Sequence, residues 1–521
     1  MKNKLIEIFW LLVVILPSVL PAILGHNIMG TDTIPHLARA FNFHQASLAG
    51  QFPPRWADSL FFGYGLPAFV AGASLPYFLM EIFLFFKANI AQSYVLVEIA
   101  CHFLSAIGVY LAAKIIFGKK TPALVATVIW TYASYHLGNI YGRSAFWEVV
   151  ASVFPGWSIY AVLLSRRSIL LSVILQSFMI GWLFLSHLPS IIVYLPFVTF
   201  LYILIVAEDK LKNLAILFVS GLLGLGISAT MILPTLFERN YLLATRTLND
   251  VYLNYFSVNI EFPVLIIVTL SVLYILIKKE FPHIMRFAFA LFALGIFFNW
   301  EGSSVIWSKV PFFKYVLYPS RFYLLINLSA GLMLGAIVKK AFVAFLIIGF
   351  VIITFLSSVN GSNDWERINK LDLVHYRKSA STSDEIIPMG ISMNVKAGDL
   401  SPDPKIISGN GEIISFTKFG KEKTVIVETT VPSVVSMGTL YYPGWQTLVD
   451  DQERFPNTGF VTTDKTDYSG MIVQPVGVGL HKIKIRWQET PLRLLANLMT
   501  IGSIGAWVIL LLYESYIYRK R

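Results

Sequence analysis

Apolar runs of roughly 16 to 25 residues recur along this sequence, the length a helix needs to cross the hydrocarbon of a bilayer. Isolated Lys and Arg pairs separate them. Hydrophobic residues make up 56% of the chain and charged residues 14%, where soluble chains carry about 25% charge. That leaves too little polar surface to wrap the apolar mass in water. A soluble enzyme, a disordered chain and a coiled coil are excluded, and a polytopic membrane protein is expected. The net charge of +11 is dispersed between apolar runs as topology signals, not gathered into a nucleic-acid-binding stripe. Nucleic acid is therefore not an expected partner. The single cysteine, Cys101, allows no intrachain disulfide, so any extracytoplasmic part must hold together by packing.

The basic residues give one consistent topology. Lys2 and Lys4 keep the N-terminus inside, and Leu5 to Leu24 crosses outward as an anchor, being long and lacking a small-x-small cleavage site. Residues 26–90 then form a first outer loop. Its apolar piece, Leu75 to Phe86, is too short to span and reads as a re-entrant or interfacial helix. Basic residues follow at every second junction: Lys119 and Lys120, Arg166 and Arg167, Lys210 and Lys212, Lys278 and Lys279, Lys339 and Lys340, and Arg519 to Arg521. All fall inside if the chain makes about twelve spans, of which 168–186 and 283–298 are the shortest. The expected location is the cell membrane, with both termini cytoplasmic.

One long water-compatible segment interrupts the spans. Within 358–489, turn signals at Asn410-Gly411, Pro443-Gly444 and Asn457 to Gly459 separate β-branched runs. His481 to Trp487 alternates strictly, with Ile483, Ile485 and Trp487 on one face and Lys482, Lys484 and Arg486 on the other, as a half-buried strand requires. The expected organisation is a membrane domain over 1–357, an extracytoplasmic β-sandwich over 358–489, and a final helix with a cytoplasmic tail over 490–521.

Polar groups are expensive at a bilayer face, and those retained there point to a site. The first outer loop carries Asp32, His36 and Arg39, then Arg55-Trp56. If Pro35 opens a helix, His36 and Arg39 share a face and Asp32 precedes the N-terminus, where it could also be a simple helix cap. Tyr135-His136, Tyr141, Arg143 and Glu148 follow the third span, with an interfacial ion pair as the plain alternative. His187, Glu238-Arg239, Trp307 and the run Tyr318 to Phe322 fall on the same side. Together they predict one polar, outward-facing crevice. No phosphate-binding Gly-rich loop, His-Glu-x-x-His or Gly-x-Ser-x-Gly occurs, so ATP-driven transport and zinc proteolysis are not indicated.

Asp32-x-x-x-His36-x-x-Arg39, Gly50-Gln-x-x-Pro54-Arg55-Trp56 and Gly63-Tyr-Gly-x-Pro67 together resemble the YfhO-like bacterial membrane proteins. They are equally similar to relatives called 6-pyruvoyl-tetrahydropterin synthase-related. Tyr141-x-Arg143 with Glu148, Pro319-Ser-Arg321-Phe322, Tyr441-Tyr-Pro-Gly-Trp445 and Gly479-x-His481 extend the likeness over nearly the whole chain. The resemblance implies a branch of the GT-C superfamily of membrane glycosyltransferases, a mainly α fold that transfers a hexose from a polyprenyl-phosphate donor to a glycan, lipid or protein acceptor. It implies Asp32 as general base and Glu148 as a second carboxylate, for acceptor binding or for orienting an arginine. Arg143, Arg321 and Arg39 would hold the lipid phosphate, a role suited to guanidinium geometry. His36, Arg55, Tyr141 and His187 would complete the substrate site. Thr31 and Thr33 flank Asp32 where many GT-C enzymes carry paired acids, so a two-carboxylate metal site in this loop is not supported. A divalent cation stays open as a cofactor, with Glu148 the nearest candidate partner; no nucleotide or pterin is expected. The competing readings are a flippase-like carrier and a glycan- or lipid-binding envelope protein.

Overall fold

The computed structural model describes residues 2–243, 251–359, 361, 363–373, 386–391, 402–419, 421–459 and 468–520. Among these, nine helices are long and apolar enough to cross a membrane: Leu5–Leu24, Ile90–Phe117, Phe146–Leu164, Ile169–Ser186, Leu188–Ile205, Lys210–Ile227, Pro319–Ile337, Ala341–Ser358 and Pro491–Lys520. His283–Asn299 with Glu301–Lys309, bent by 85°, makes a tenth if counted as one span. Leu75–Phe85 and Phe262–Lys278 are shorter apolar helices, and Lys120–Thr131 is a further short helix. The chain is a mainly helical, multi-pass membrane protein.

Local sequence sets the helix ends. Ile90–Phe117 starts at a capping box in which Asn89 and Gln92 satisfy each other's backbone, and it stops at Gly118, whose φ of 64° is left-handed. Its middle packs on Phe154–Leu164 through facing glycines. A Cβ on Gly156 would lie 2.3 Å from the Val109 nitrogen, and one on Gly108 would lie 2.5 Å from the Trp157 ring. Helices in lipid gain little from apolar attraction, so such close small-residue contact is what joins them.

The water-compatible segment forms two antiparallel sheets. Its strands are β1 (Lys405–Ser408), β2 (Gly411–Phe419), β3 (Glu422–Thr429), β4 (Ser433–Leu440), β5 (Trp445–Val449), β6 (Gln452–Arg454), β7 (Met471–Val476) and β8 (Gly479–Trp487). The three-stranded sheet has the order β1-β4-β7, and the five-stranded sheet β2-β3-β8-β5-β6. In β8, Ile483, Ile485 and Trp487 are buried, as the alternation predicts. They join Val425 and Val427 of β3 and Val435 and Met437 of β4 in the core.

An aromatic seam fastens these strands to the segment 26–90. Trp56 meets Trp445 edge-on at 5.2 Å and lies tilted against Trp487 at 5.1 Å. Gly65, at φ +82°, lies against the Trp56 indole, where an added Cβ would stand 2.4 Å from its nitrogen. Beside the seam, the fully buried Arg493 at the root of the last helix donates twice to Glu238 Oε2, at 2.9 and 2.8 Å, and once to the Pro443 carbonyl at 2.7 Å.

Candidate active site

A sharp chain reversal builds the site. After the π-helical turn Gly138–Gly142, Ser144 adopts a φ of 56°, and the Ala145 N–H donates to the Asn139 carbonyl at 2.7 Å. The reversal turns the Arg143 carbonyl toward the segment after the first helix, where it accepts the Asp32 N–H at 2.9 Å and the Thr31 hydroxyl at 3.3 Å. The Gly30 N–H donates to Ser144 Oγ at 2.9 Å. Gly30 is needed here, because a Cβ would lie 2.5 Å from the Arg143 carbonyl carbon.

Glu148, on the turn after this corner, is buried and saturated with donors. Arg321 Nε reaches Oε1 at 2.8 Å, and Tyr135 Oη and Asn139 Nδ2 reach Oε2 at 2.8 and 3.3 Å. The Arg143 guanidinium stands 3.5 Å from Oε1. Arg321 is also buried and donates to the Val316 carbonyl. Tyr318 lies under both guanidiniums, its ring centre 5.6 Å from Arg143 and 5.2 Å from Arg321.

Asp32 differs from Glu148. It occupies the N-cap position of the helix Thr33–Leu48, yet its side chain makes no capping hydrogen bond. Its carboxylate accepts from the Thr31 hydroxyl at 3.3 Å and faces the Arg143 guanidinium at 4.0 Å. The Asp32 side chain is 25% exposed and that of Arg143 36%, against 5% for Glu148. Burial raises the Asp32 carboxyl above its ordinary pKa, while Arg143 acts in the opposite sense.

The other candidates sit at graded distances from this centre. His187 hydrogen-bonds Ser190 at 2.7 Å and lies within electrostatic reach of Arg321 and Glu148. His36 and Arg39 form an adjoining cluster around Trp147. His36 contacts Tyr77 Oη at 3.2 Å and meets the Trp147 ring edge-on at 5.3 Å, and the Arg39 guanidinium lies over the same ring at 4.7 Å. Burial holds His36 well below the usual imidazole range. Two candidates lie elsewhere. Tyr141 donates to the Ser18 carbonyl of the first helix at 2.6 Å. Arg55 is buried beside the Arg493 anchor, donating to Glu489 at 3.3 Å, to Thr230 at 2.9 and 3.0 Å and to Asn497 at 3.0 Å.

Asn139, Tyr77 and Trp147 were not among the sequence candidates. Their only sequence signal is nearness to Tyr141 and Glu148, or membership of an apolar run. Among the described residues no three His, Cys, Asp or Glu side chains gather as a metal-binding group. The arrangement does not fit a cation bridging Asp32 and Glu148, because the Arg143 guanidinium faces both carboxylates.

No protein-family model matches the chain, and no curated protein matches it. Solved structures similar to it include arabinofuranosyltransferase AftD from mycobacteria, at 14% identity and a TM-score of 0.38, over 67% of this chain and 26% of that one. Another is the Archaeoglobus fulgidus oligosaccharyltransferase, at 16% identity and a TM-score of 0.37, over 74% of this chain and 59% of that one. The chain thus spans 26% and 59% of these neighbours' lengths.

Proposed function

We propose that this protein is a YfhO-like membrane glycosyltransferase of the GT-C type, with about twelve spans and its site on the outer face. It moves a hexose from a polyprenyl-phosphate donor to a hydroxyl of a glycan, lipid or protein acceptor. The three spans beyond those passing the length criterion would be Lys120–Thr131 with its continuation, Phe262–Lys278 and His283–Asn299. The strand-rich segment would lie outside and both termini inside.

One observation carries the chemistry. Asp32 is a partly exposed carboxylate beside a partly exposed guanidinium, next to a buried, hydrogen-bonded Arg321–Glu148 pair. In the proposed reaction Asp32 takes the acceptor's hydroxyl proton as the new glycosidic bond forms at the anomeric carbon. The bond from that carbon to the phosphate oxygen breaks on the opposite side, which inverts the configuration. The departing lipid phosphate keeps the electron pair and is held by Arg143, a guanidinium being suited to phosphate at a membrane face. Glu148 accepts three hydrogen bonds and faces a second guanidinium, so its part is to fix Arg143 and Arg321. His187 and the Arg39 cluster would border the same crevice.

The reading is tested by supplying membranes containing the protein with polyprenyl-phosphate hexoses and following transfer by mass spectrometry. Transfer lost in both Asp32→Asn and Arg143→Gln at unchanged protein level is the expected outcome. Movement of the intact sugar lipid across vesicles without transfer would point to a carrier instead.

A further inference from the structure

A pocket lies at the far end of the helices that carry the site. Phe146–Leu164 begins beside Glu148 and runs for 19 residues, about 28 Å at the helical rise, so its other end is roughly one bilayer thickness from Asp32. There it meets the ends of Leu188–Ile205 and Lys210–Ile227 around a cleft of about 40 Å³, room for more than one water. Arg166, Glu208, Asp209 and Lys212 line the mouth, and Tyr202 and Asn213 lie deeper.

The deep groups lack partners. Tyr202 is 1% exposed and Asn213 5%, yet Tyr202 Oη and Asn213 Oδ1 make no hydrogen bond. A buried polar atom left unmatched is costly. The Asn213 amide nitrogen is already used, donating to the Asp209 carbonyl at 2.7 Å. An occupant must therefore offer an acceptor to the Tyr202 hydroxyl and a donor to the Asn213 oxygen. The mouth adds two cations and two carboxylates, paired as Arg166 with Glu208 at 3.0 Å and Lys212 with Asp209 at 3.9 Å. Its charges balance, so it favours neither a bare anion nor a bare cation.

We infer that this pocket holds the phosphoethanolamine headgroup of a phospholipid from the leaflet opposite the Asp32 site. The phosphate supplies acceptors to Tyr202 and Arg166, and the primary ammonium supplies donors to Asn213 Oδ1 and Glu208. A trimethylated choline has no N–H for the asparagine, and a phosphoglycerol has no cation for the carboxylates.

The test uses the full-length protein, stripped of lipid in detergent and offered phosphatidylethanolamine, phosphatidylcholine or phosphatidylglycerol, with retained lipid counted by native mass spectrometry. Retention of the ethanolamine lipid about tenfold above the others is expected, the scale of one charge-assisted hydrogen bond. Tyr202→Phe, which removes only the unpartnered hydroxyl, should lower that retention about tenfold without changing the melting temperature. Arg166→Gln should act in the same direction, and free phosphoethanolamine should displace the lipid. Equal retention of the choline lipid, preference for the glycerol lipid, insensitivity to Tyr202→Phe or failure of the free headgroup to compete would each overturn the assignment. No retained lipid of any kind would mean that the pocket holds water.

Discussion

Asp32 and Arg143 are joined twice, by the Asp32 N–H donating to the Arg143 carbonyl at 2.9 Å and by their side chains facing each other at 4.0 Å. The backbone bond fixes where the carboxylate stands, while the longer side-chain separation leaves it able to accept a proton. Because the Asp32 side chain makes no capping bond, replacing it with Asn should cost the fold almost nothing. Transfer should nevertheless fall by about 10²–10⁴, the usual scale for a lost general base. Near-normal transfer in Asp32→Asn membranes would remove Asp32 from the chemistry.

The same pair predicts a pH dependence. Burial raises the Asp32 pKa and Arg143 lowers it, and the base works only when ionised. The acid limb of kcat/KM should therefore lie above the free aspartate value of about 3.9, with activity rising as pH climbs through it. Thr31→Val removes the hydroxyl that donates to the Asp32 carboxylate and also lowers its pKa, and should move the limb to still higher pH. A limb that stays in place or moves down in this variant would contradict the assignment.

Glu148 should fail differently. Glu148→Gln leaves the buried Arg321 without its counter-charge, a change that costs about 3–5 kcal/mol in comparable buried pairs. A lower melting temperature in detergent and reduced protein in membranes should accompany any loss of transfer. If Glu148→Gln melts like the parent protein yet is inactive, Glu148 itself touches substrate.

The membrane character, the alternation of β8 and the polar residues that gather around Arg143 were legible in the sequence. Apolar run length and residue polarity report those features directly. The fate of Arg55 was not. It sits in a motif with Trp56, but only the folded chain shows that both side chains face the seam and the Arg493 anchor. The position of Tyr141 was hidden for a related reason: the π-helical turn directs it toward Ser18, and nothing in Gly138 to Gly142 announces a turn wider than α. The split between Asp32 and Glu148 depends on Asn139 and Tyr135 filling the acceptors of Glu148, a contact set up by the backbone reversal at Ser144.

Lys423 offers a separate test in the strand-rich segment. It is buried in β3, where its ammonium donates to Thr439 at 2.7 Å with Asp58 3.8 Å away. Burial pushes its pKa down to about 8, against the attraction of Asp58. Between about 8 and the ordinary lysine value of about 10.4, the unfolded chain binds more protons at this position, so stability rises with pH across that window. Thermal unfolding followed by tryptophan fluorescence should show this rise in the parent protein and a smaller one in Lys423→Met. Equal slopes in the two proteins would remove Lys423 as the source.

Trp56 and Trp487 sit near opposite ends of the chain, yet their rings are 5.1 Å apart. Each supplies part of the cover the other needs, so the strand-rich segment is not a portable module. Cut free or grafted onto a foreign scaffold, it would bare Trp445 and Trp487 to water and invite self-association through that face. Exchange of this segment between proteins should succeed only when residues 26–90 travel with it, which makes the two stretches a single unit of exchange.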